Sequence, residues 1–286
     1  MESNFLTAVF LPLALFIIML GMGLGLTWED FRRIGLQPKG VAIGLGAQLL
    51  MLPLIGWLLA SVMPLTPELA VGLMVLAACP GGPTSNVLTY LARGNVALSV
   101  TLTAISSAIT VFTIPLVVNV AMRHFLGAGV TLQLPVLATV LQIAVITLVP
   151  VGLGMVLRRY RPQLAATVEA GVKWLALFFL GVVIVGILVK ERANVVDFFG
   201  QVGWATLALA LLSMALGYGL ALLAQLKQQD ATAITIEVGI QNGTLAIAIA
   251  SAPTLLNNPT LAIPAAIYSL LMFVISGLFV AWQAQR

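Results

Sequence analysis

The sequence predicts an all-α polytopic membrane protein, and three observations carry that prediction. The 286 residues are 61% hydrophobic and only 8% charged, with a mean hydropathy of +1.12, whereas soluble domains are about 25% charged. The apolar residues fall in long runs separated by short polar connections. Two of those runs are broken midway by residues that neither a helix nor a bilayer tolerates easily.

Roughly 20 apolar residues cross a bilayer. On that length the chain reads as about nine transmembrane helices, over residues 5–26, 40–62, 68–91, 96–122, 132–157, 169–189, 202–224, 231–252 and 260–283. Thr27–Arg33 and Arg158–Pro162 read as interfacial linkers. No cleavable leader is expected, because residues 1–4 lack a basic region and Phe5–Leu26 is long enough to span. Basic residues set the orientation. With the N-terminus outside, Arg32, Arg33, Lys39, Arg93, Arg158, Arg159, Arg161, Lys227 and Arg286 fall on the cytoplasmic side, and only Arg123, Lys190 and Arg192 fall outside. Glu169 and Lys173, four apart near a span end, are expected to pair at the interface.

Composition also excludes chemistry. Cys79 is the single cysteine and His124 the single histidine, so disulfide frameworks, Cys-rich metal sites and His-based triads have no raw material in the spans. No paired aspartates or Ser/His constellation for an intramembrane enzyme is found there either. The net charge of +4 acts through its placement along the membrane and does not imply nucleic acid.

The first interruption is Cys79-Pro80-Gly81-Gly82-Pro83-Thr84-Ser85-Asn86, inside the apolar run Leu69–Leu91. Two prolines and two glycines break a helix. Broken backbone at membrane depth survives only where it is buried in protein or lines a cavity. The second interruption is Glu237-Val238-Gly239-Ile240-Gln241-Asn242-Gly243-Thr244. The two lie in spans three and eight. An offset of five spans inverts the second copy, so inverted repeats are expected, with Asn86 and Asn242 as counterparts. Paired broken helices at a repeat interface are a recurring plan of secondary transporters.

Glu237 is the strongest single signal. The other acids lie in loops or near span ends. A charge at the bilayer centre costs about 2.5–3.5 kcal/mol on insertion scales and marks function by default. No Lys or Arg is expected at its depth, so a mobile cation is the natural counter-charge. A hard cation such as Na⁺ takes carboxylate, amide, hydroxyl and carbonyl oxygens. Ser85 and Asn86 offer such oxygens, as do Gln48 and the pair Ser99 and Thr103, which share a helix face. For Gln48 the competing reading is a helix–helix hydrogen bond. For Ser99 and Thr103 it is back-bonding to the preceding turn. Two further transport readings stay open at this point. Glu237 could titrate, giving proton coupling or cation/proton exchange, or Cys79 could serve as a thiolate for a metalloid.

Cys79-Pro80-Gly81-Gly82, Ser85-Asn86-Val87, the stretch Thr89–Ser99 and Glu237–Asn242 together resemble the bile acid:sodium symporter family, and Gly21–Leu24 and Gln48–Pro53 are similar to it as well. The resemblance covers essentially the whole chain. It implies one transporter unit over residues 1–286, with core-domain helices at 40–122 and 202–283, panel-domain helices at 5–26 and 132–189, and two broken, crossing helices. It also implies two sodium sites. One would use Ser85, Asn86, Ser99, Thr103 and Glu237. The other would use Gln48, Glu237, Gln241 and the carbonyls of Val238 and Ile240. Relatives commonly have ten spans, so the first is expected to be missing here. Relatives often read Thr-Ala where Pro83-Thr84 stands, a position facing the substrate cavity; Pro83, Thr84, Asn242 and Gly243 are the expected substrate contacts.

The expected function is Na⁺-coupled symport of a small organic anion by alternating access. Two sodium ions on one carboxylate leave a positive site that an anion completes. The resemblance leaves the anion open between bile-acid-like steroids and small carboxylates such as pantoate. A monomer in a bacterial plasma membrane is expected, N-terminus outside and C-terminus cytoplasmic.

Overall fold

The computed structural model describes residues 10–32, 35–127, 134–190 and 195–285. The outer ends of the expected first and fifth spans, together with Arg33, Arg192 and Arg286, lie outside them, as do the side chains of Lys173 and Lys190. The pairing expected of Lys173 therefore falls outside the description, while Glu169 Oε2 lies 3.6 Å from Arg158 Nη1.

Twelve helical elements follow one another. They are α1 (Leu11–Leu24), α2 (Trp28–Arg32), α3 (Pro38–Val62), α4 (Pro67–Ala77), α5 (Thr84–Leu91), α6 (Val96–Phe125), α7 (Val136–Tyr160), α8 (Pro162–Lys190), α9 (Val195–Leu223), α10 (Gln228–Gly239), α11 (Gly243–Ser251) and α12 (Pro259–Ala284). No strand occurs among the described residues. Five helices are long and apolar enough to cross a membrane: α3, α6, α7, α12 and the Phe199–Leu223 part of α9.

Local chemistry sets the boundaries. Pro38 and Pro67 stand at helix starts, where a missing N–H costs nothing. Thr66 and Asn95 cap α4 and α6 by accepting from Leu69 N and Leu98 N. Arg93 closes the turn between α5 and α6 at φ 56°. Both expected linkers are more ordered than the sequence suggested. Thr27 leads into the short α2, and Asp30 Oδ2 accepts from both Thr27 N and Thr27 Oγ1, closing the first turn from one side. Thr101 Oγ1 of α6 donates to the Asp30 carbonyl, tying α2 down. At Arg158–Pro162 the break is a single residue, Arg161, because Pro162 starts α8 directly.

Exposed apolar residues repeat every fourth position: Leu50, Leu54 and Leu58 on α3, Phe112, Leu116 and Val120 on α6, and Leu137, Leu141, Val145, Val149 and Leu153 on α7. Such stripes would be costly against water and are what a lipid-facing surface requires. The helices that carry the interruptions are the opposite. Every residue of Leu69–Ala77 in α4, of Ala231–Gly239 in α10 and of α11 is buried. The broken segments therefore lie inside the bundle, where protein can satisfy their backbone.

α1 packs chiefly on α7 and α8, and α7 also packs on α8. Gly154 makes the first of these contacts possible, since a Cβ there would come within 2.6 Å of the Leu20 carbonyl oxygen. Gly23, across from it, meets the Val151 carbonyl in the same way. Close backbone crossing over small residues is the usual membrane solution. α9 packs on α3, α10 and α12, while α4 packs on α3 and α6.

Candidate functional site

The two interruptions meet. Gly81 and Gln241 form an antiparallel bridge. Gly82 N donates to the Ile240 carbonyl at 2.7 Å, and Asn242 N donates to the Pro80 carbonyl at 2.9 Å. Each break thus supplies the peptide partners the other lacks, which answers how lipid-depth backbone can leave a helix. Gly81 stands across from Gln241 at the crossing. Asn242 caps α11, its Oδ1 accepting from Leu245 N at 3.0 Å, whereas Asn86 lies inside the first turn of α5.

Glu237, 1% exposed, sits on the last full turn of α10. Its burial removes the possibility that it snorkels to the interface. Ser85 Oγ donates to Oε2 at 2.7 Å and Ser99 Oγ to the same oxygen at 3.2 Å. Thr103 Oγ1 lies 2.7 Å from Oε1 and 3.0 Å from the Ser99 carbonyl. The hydroxyl has one proton, and the shorter, acceptor-charged bond is the stronger. Thus the expected back-bond is within reach at Thr103, but the carboxylate is the nearer acceptor. α5 brings Ser85, and α6 brings Ser99 and Thr103 one turn apart. Gly81 lets α10 approach, because a Cβ there would fall on Glu237 Oε1.

The second constellation centres on Gln48. A π-turn over Ala47–Met51 in α3 carries it; such bulges are frequent at functional sites. Gln48 Nε2 donates to the Cys79 carbonyl at 3.0 Å and to Gln241 Oε1 at 2.8 Å. Gln241 Nε2 donates to the Val238 carbonyl at 2.7 Å. The helix–helix bond that competed with a binding role therefore exists, but it uses only the amide nitrogen. Gln48 Oε1 is buried without a hydrogen-bond partner, and so are Asn86 Oδ1 and Asn242 Nδ2. Unpaired buried polar atoms are rare and need an explanation. Two of these three are oxygen acceptors. Oxygen is the donor type that a hard monovalent cation takes. The nitrogen donor of Asn242 suits an anion.

Among the expected substrate contacts, Pro83 and Thr84 are half-buried at the start of α5, while Asn242 and Gly243 are buried at the start of α11. Gly243 presses on Ser269 Oγ of α12. The Cys79 thiol is 1% exposed within the main apolar cluster. Its carbonyl, not its sulfur, takes part in the site. A cavity of about 310 Å³ lies between α1, α7 and the C-terminal end of α11, walled by Leu15, Leu141, Val145, Ala248 and Leu255.

Further side chains join the site. Thr89 Oγ1 donates to Ser99 Oγ at 3.3 Å, extending the hydroxyl cluster along α5. Asn95 Nδ2 donates to Asp230 Oδ1 at 2.7 Å and Asn95 N to the Gln229 carbonyl, joining the α5–α6 turn to the start of α10. Ser85 and Thr89 are four apart, a spacing that could have flagged Thr89. The Asn95–Asp230 bond joins distant segments and no local pattern reveals it.

A bundle whose two interrupted helices cross at a buried carboxylate is a membrane transporter architecture, and comparison with known proteins agrees. Residues 12–198 match the sodium bile acid symporter family. The chain is 34% identical over 266 residues to the uncharacterized sodium-dependent transporter YocS of Bacillus subtilis, covering 91% of this chain and 78% of that one. It is 32% identical over 267 residues to the probable sodium/metabolite cotransporter BASS1, chloroplastic, of rice, covering 93% of this chain and 64% of the rice protein. It is 28% identical over 237 residues to the hepatic sodium/bile acid cotransporter of rat, covering 82% and 65%. The chain belongs to the sodium bile acid symporter family, and it is an integral membrane protein.

Proposed function

We propose that the chain is a Na⁺-coupled symporter of a small organic anion that works by alternating access. The observation that carries the reading is the buried Glu237 carboxylate at the crossing. It is bonded by neutral hydroxyls alone among its described partners, and unpaired oxygens of Asn86 and Gln48 accompany it. Ser85, Asn86, Ser99, Thr103 and Glu237 would hold one sodium ion. Gln48, Glu237, Gln241 and the Val238 and Ile240 carbonyls would hold a second. Two cations against one carboxylate leave the crossing positive. The N-termini of α5 and α11, both directed at it, add to that field. An anion placed near Pro83, Thr84, Gly243 and the free Asn242 Nδ2 neutralises the site, which is the physical cause of coupling.

Nine spans account for the twelve elements when α4–α5 and α10–α11 each count as one broken span and the five-residue α2 is left at the interface. In this reading α1, α7 and α8 form a panel, and the remaining long helices form a core that includes both breaks. The core rocks against the panel. The anion is a bile-acid-like steroid or a small carboxylate such as pantoate. The positive-side bias places the N-terminus outside and the C-terminus in the cytoplasm of a bacterial plasma membrane, with a single chain as the working unit. Proton coupling through Glu237 is the second reading; unpaired acceptor oxygens favour a metal cation over a proton.

Uptake of labelled pantoate and of a bile acid into proteoliposomes, driven separately by a sodium gradient and by a pH gradient in choline, tests both readings. Sodium-driven uptake that Glu237→Gln abolishes supports symport. Uptake driven by the pH gradient alone overturns sodium coupling.

A further inference from the structure

Tyr268 of α12 lies far along the chain from both interruptions, yet it is fully buried and among the largest such side chains in the molecule. Its hydroxyl donates to the Gly239 carbonyl at 3.0 Å. That carbonyl is the last of α10. A helix leaves its final carbonyls without intrahelical donors, and each needs a partner elsewhere. The neighbouring carbonyls are taken differently: Val238 O by Gln241 Nε2 and Ile240 O by Gly82 N across the break. Tyr268 therefore fixes the one peptide that links them. The next residue, Ser269, abuts Gly243 at the start of α11. Two consecutive residues of α12 hold the two ends of the second interruption. Gly239 is itself pinned from the other side, since a Cβ there would come within 2.5 Å of Met214 Cγ.

We propose that Tyr268 is a positioning residue for the cation site that uses the carbonyls on either side of Gly239. By engaging the Gly239 oxygen, the phenol turns that peptide away from the ion. The flanking Val238 and Ile240 oxygens are thereby set at a fixed spacing toward Gln48 and Gln241. Loss of the hydroxyl lets the 239–240 peptide rotate. The site then loosens, and its ability to distinguish cations of different radius falls with it. This inference rests on the sodium reading of the site above.

The test is Tyr268→Phe, which keeps the ring and removes only the hydroxyl. Purified protein is melted while NaCl replaces choline chloride, and again while LiCl does so. The expected result is a rise of about tenfold in the half-stabilising sodium concentration, the range in which partners orienting metal ligands act. The ratio of the lithium to the sodium value should shift, and the melting temperature in choline should fall by no more than about 4 °C. Unchanged sodium and lithium titrations overturn the inference. So does a lowered melting temperature in choline with unchanged titrations, or failure to fold, because either makes the bond purely structural. Glu237→Gln is run in parallel. If it retains full stabilisation by sodium, the sodium reading itself fails; if it loses stabilisation while Tyr268→Phe does not, only the role of Tyr268 is wrong.

Discussion

At the scale of single residues, Glu237 and Gly81 are one unit. The carboxylate occupies the space where a side chain at position 81 would be, and the Gly81 backbone is held on both sides by cross-break hydrogen bonds. Neither can yield. Gly81→Ala is expected to cost about 1–3 kcal/mol, the range for overpacking a filled interior, seen as a lowered melting temperature in sodium-free buffer. Glu237→Gln keeps the volume and removes the charge. It is expected to fold, and to reduce stabilisation by sodium at least about tenfold in half-saturating concentration, measured by titrating NaCl against choline. The sequence disclosed Glu237 because a lone acid inside an apolar run is conspicuous. Residue pattern alone disclosed Ser99 and Thr103 as hydroxyls on one face, and only the family resemblance set them beside Glu237, since their donation to it depends on how α6 meets α10. Tyr268 was invisible: a tyrosine in an apolar helix has no local mark of which carbonyl it will reach.

At the scale of elements, the start of α11 combines two tasks in one side chain. Asn242 Oδ1 caps the helix while Nδ2 is left unpaired. The tasks separate by substitution. Asn242→Asp preserves the capping oxygen and replaces the free donor with negative charge. Its sodium-free melting temperature is expected to stay close to that of the parent, whereas half-saturation for the transported anion should rise at least about tenfold, the penalty of a like charge at close range being more than about 1.4 kcal/mol. Asn242→Ala loses both tasks and is expected to lower stability by about 1 kcal/mol. Melting curves together with uptake kinetics distinguish the two variants. The interruptions themselves were legible, because Pro and Gly inside apolar runs admit few other readings. Their register was not. The backbone hydrogen bonds that set Gly81 across from Gln241 leave no trace in side-chain identity.

At the scale of the whole molecule, sodium should act as a stabiliser. A ligand at a hundred times its dissociation constant adds about 2.7 kcal/mol to a state that alone binds it. For a chain of this size that is roughly 5–10 °C in melting temperature. The rise should appear with NaCl and not with equal KCl or choline chloride; an identical response to all three would show a salt effect and no specific site. The membrane class was evident from composition, and the lipid-facing stripes on α3, α6 and α7 are its direct structural expression. The close crossing of α1 and α7 was not evident, because Gly23 and Gly154 are two glycines among 26 and only the fold brings them together.

The hydroxyls that surround Glu237 come from α5 and α6, and the carboxylate from α10; none comes from α1, α7 or α8. On the proposed mechanism the cation is therefore carried wholly by one moving body. If that body shifts the site along the membrane normal, its charge travels through part of the transmembrane voltage. Each elementary charge crossing 100 mV exchanges about 2.3 kcal/mol with the field. Two sodium ions with one singly charged anion would then make each cycle carry a net positive charge inward. A voltage that is negative inside should accelerate uptake, and a clamped liposome should register the current.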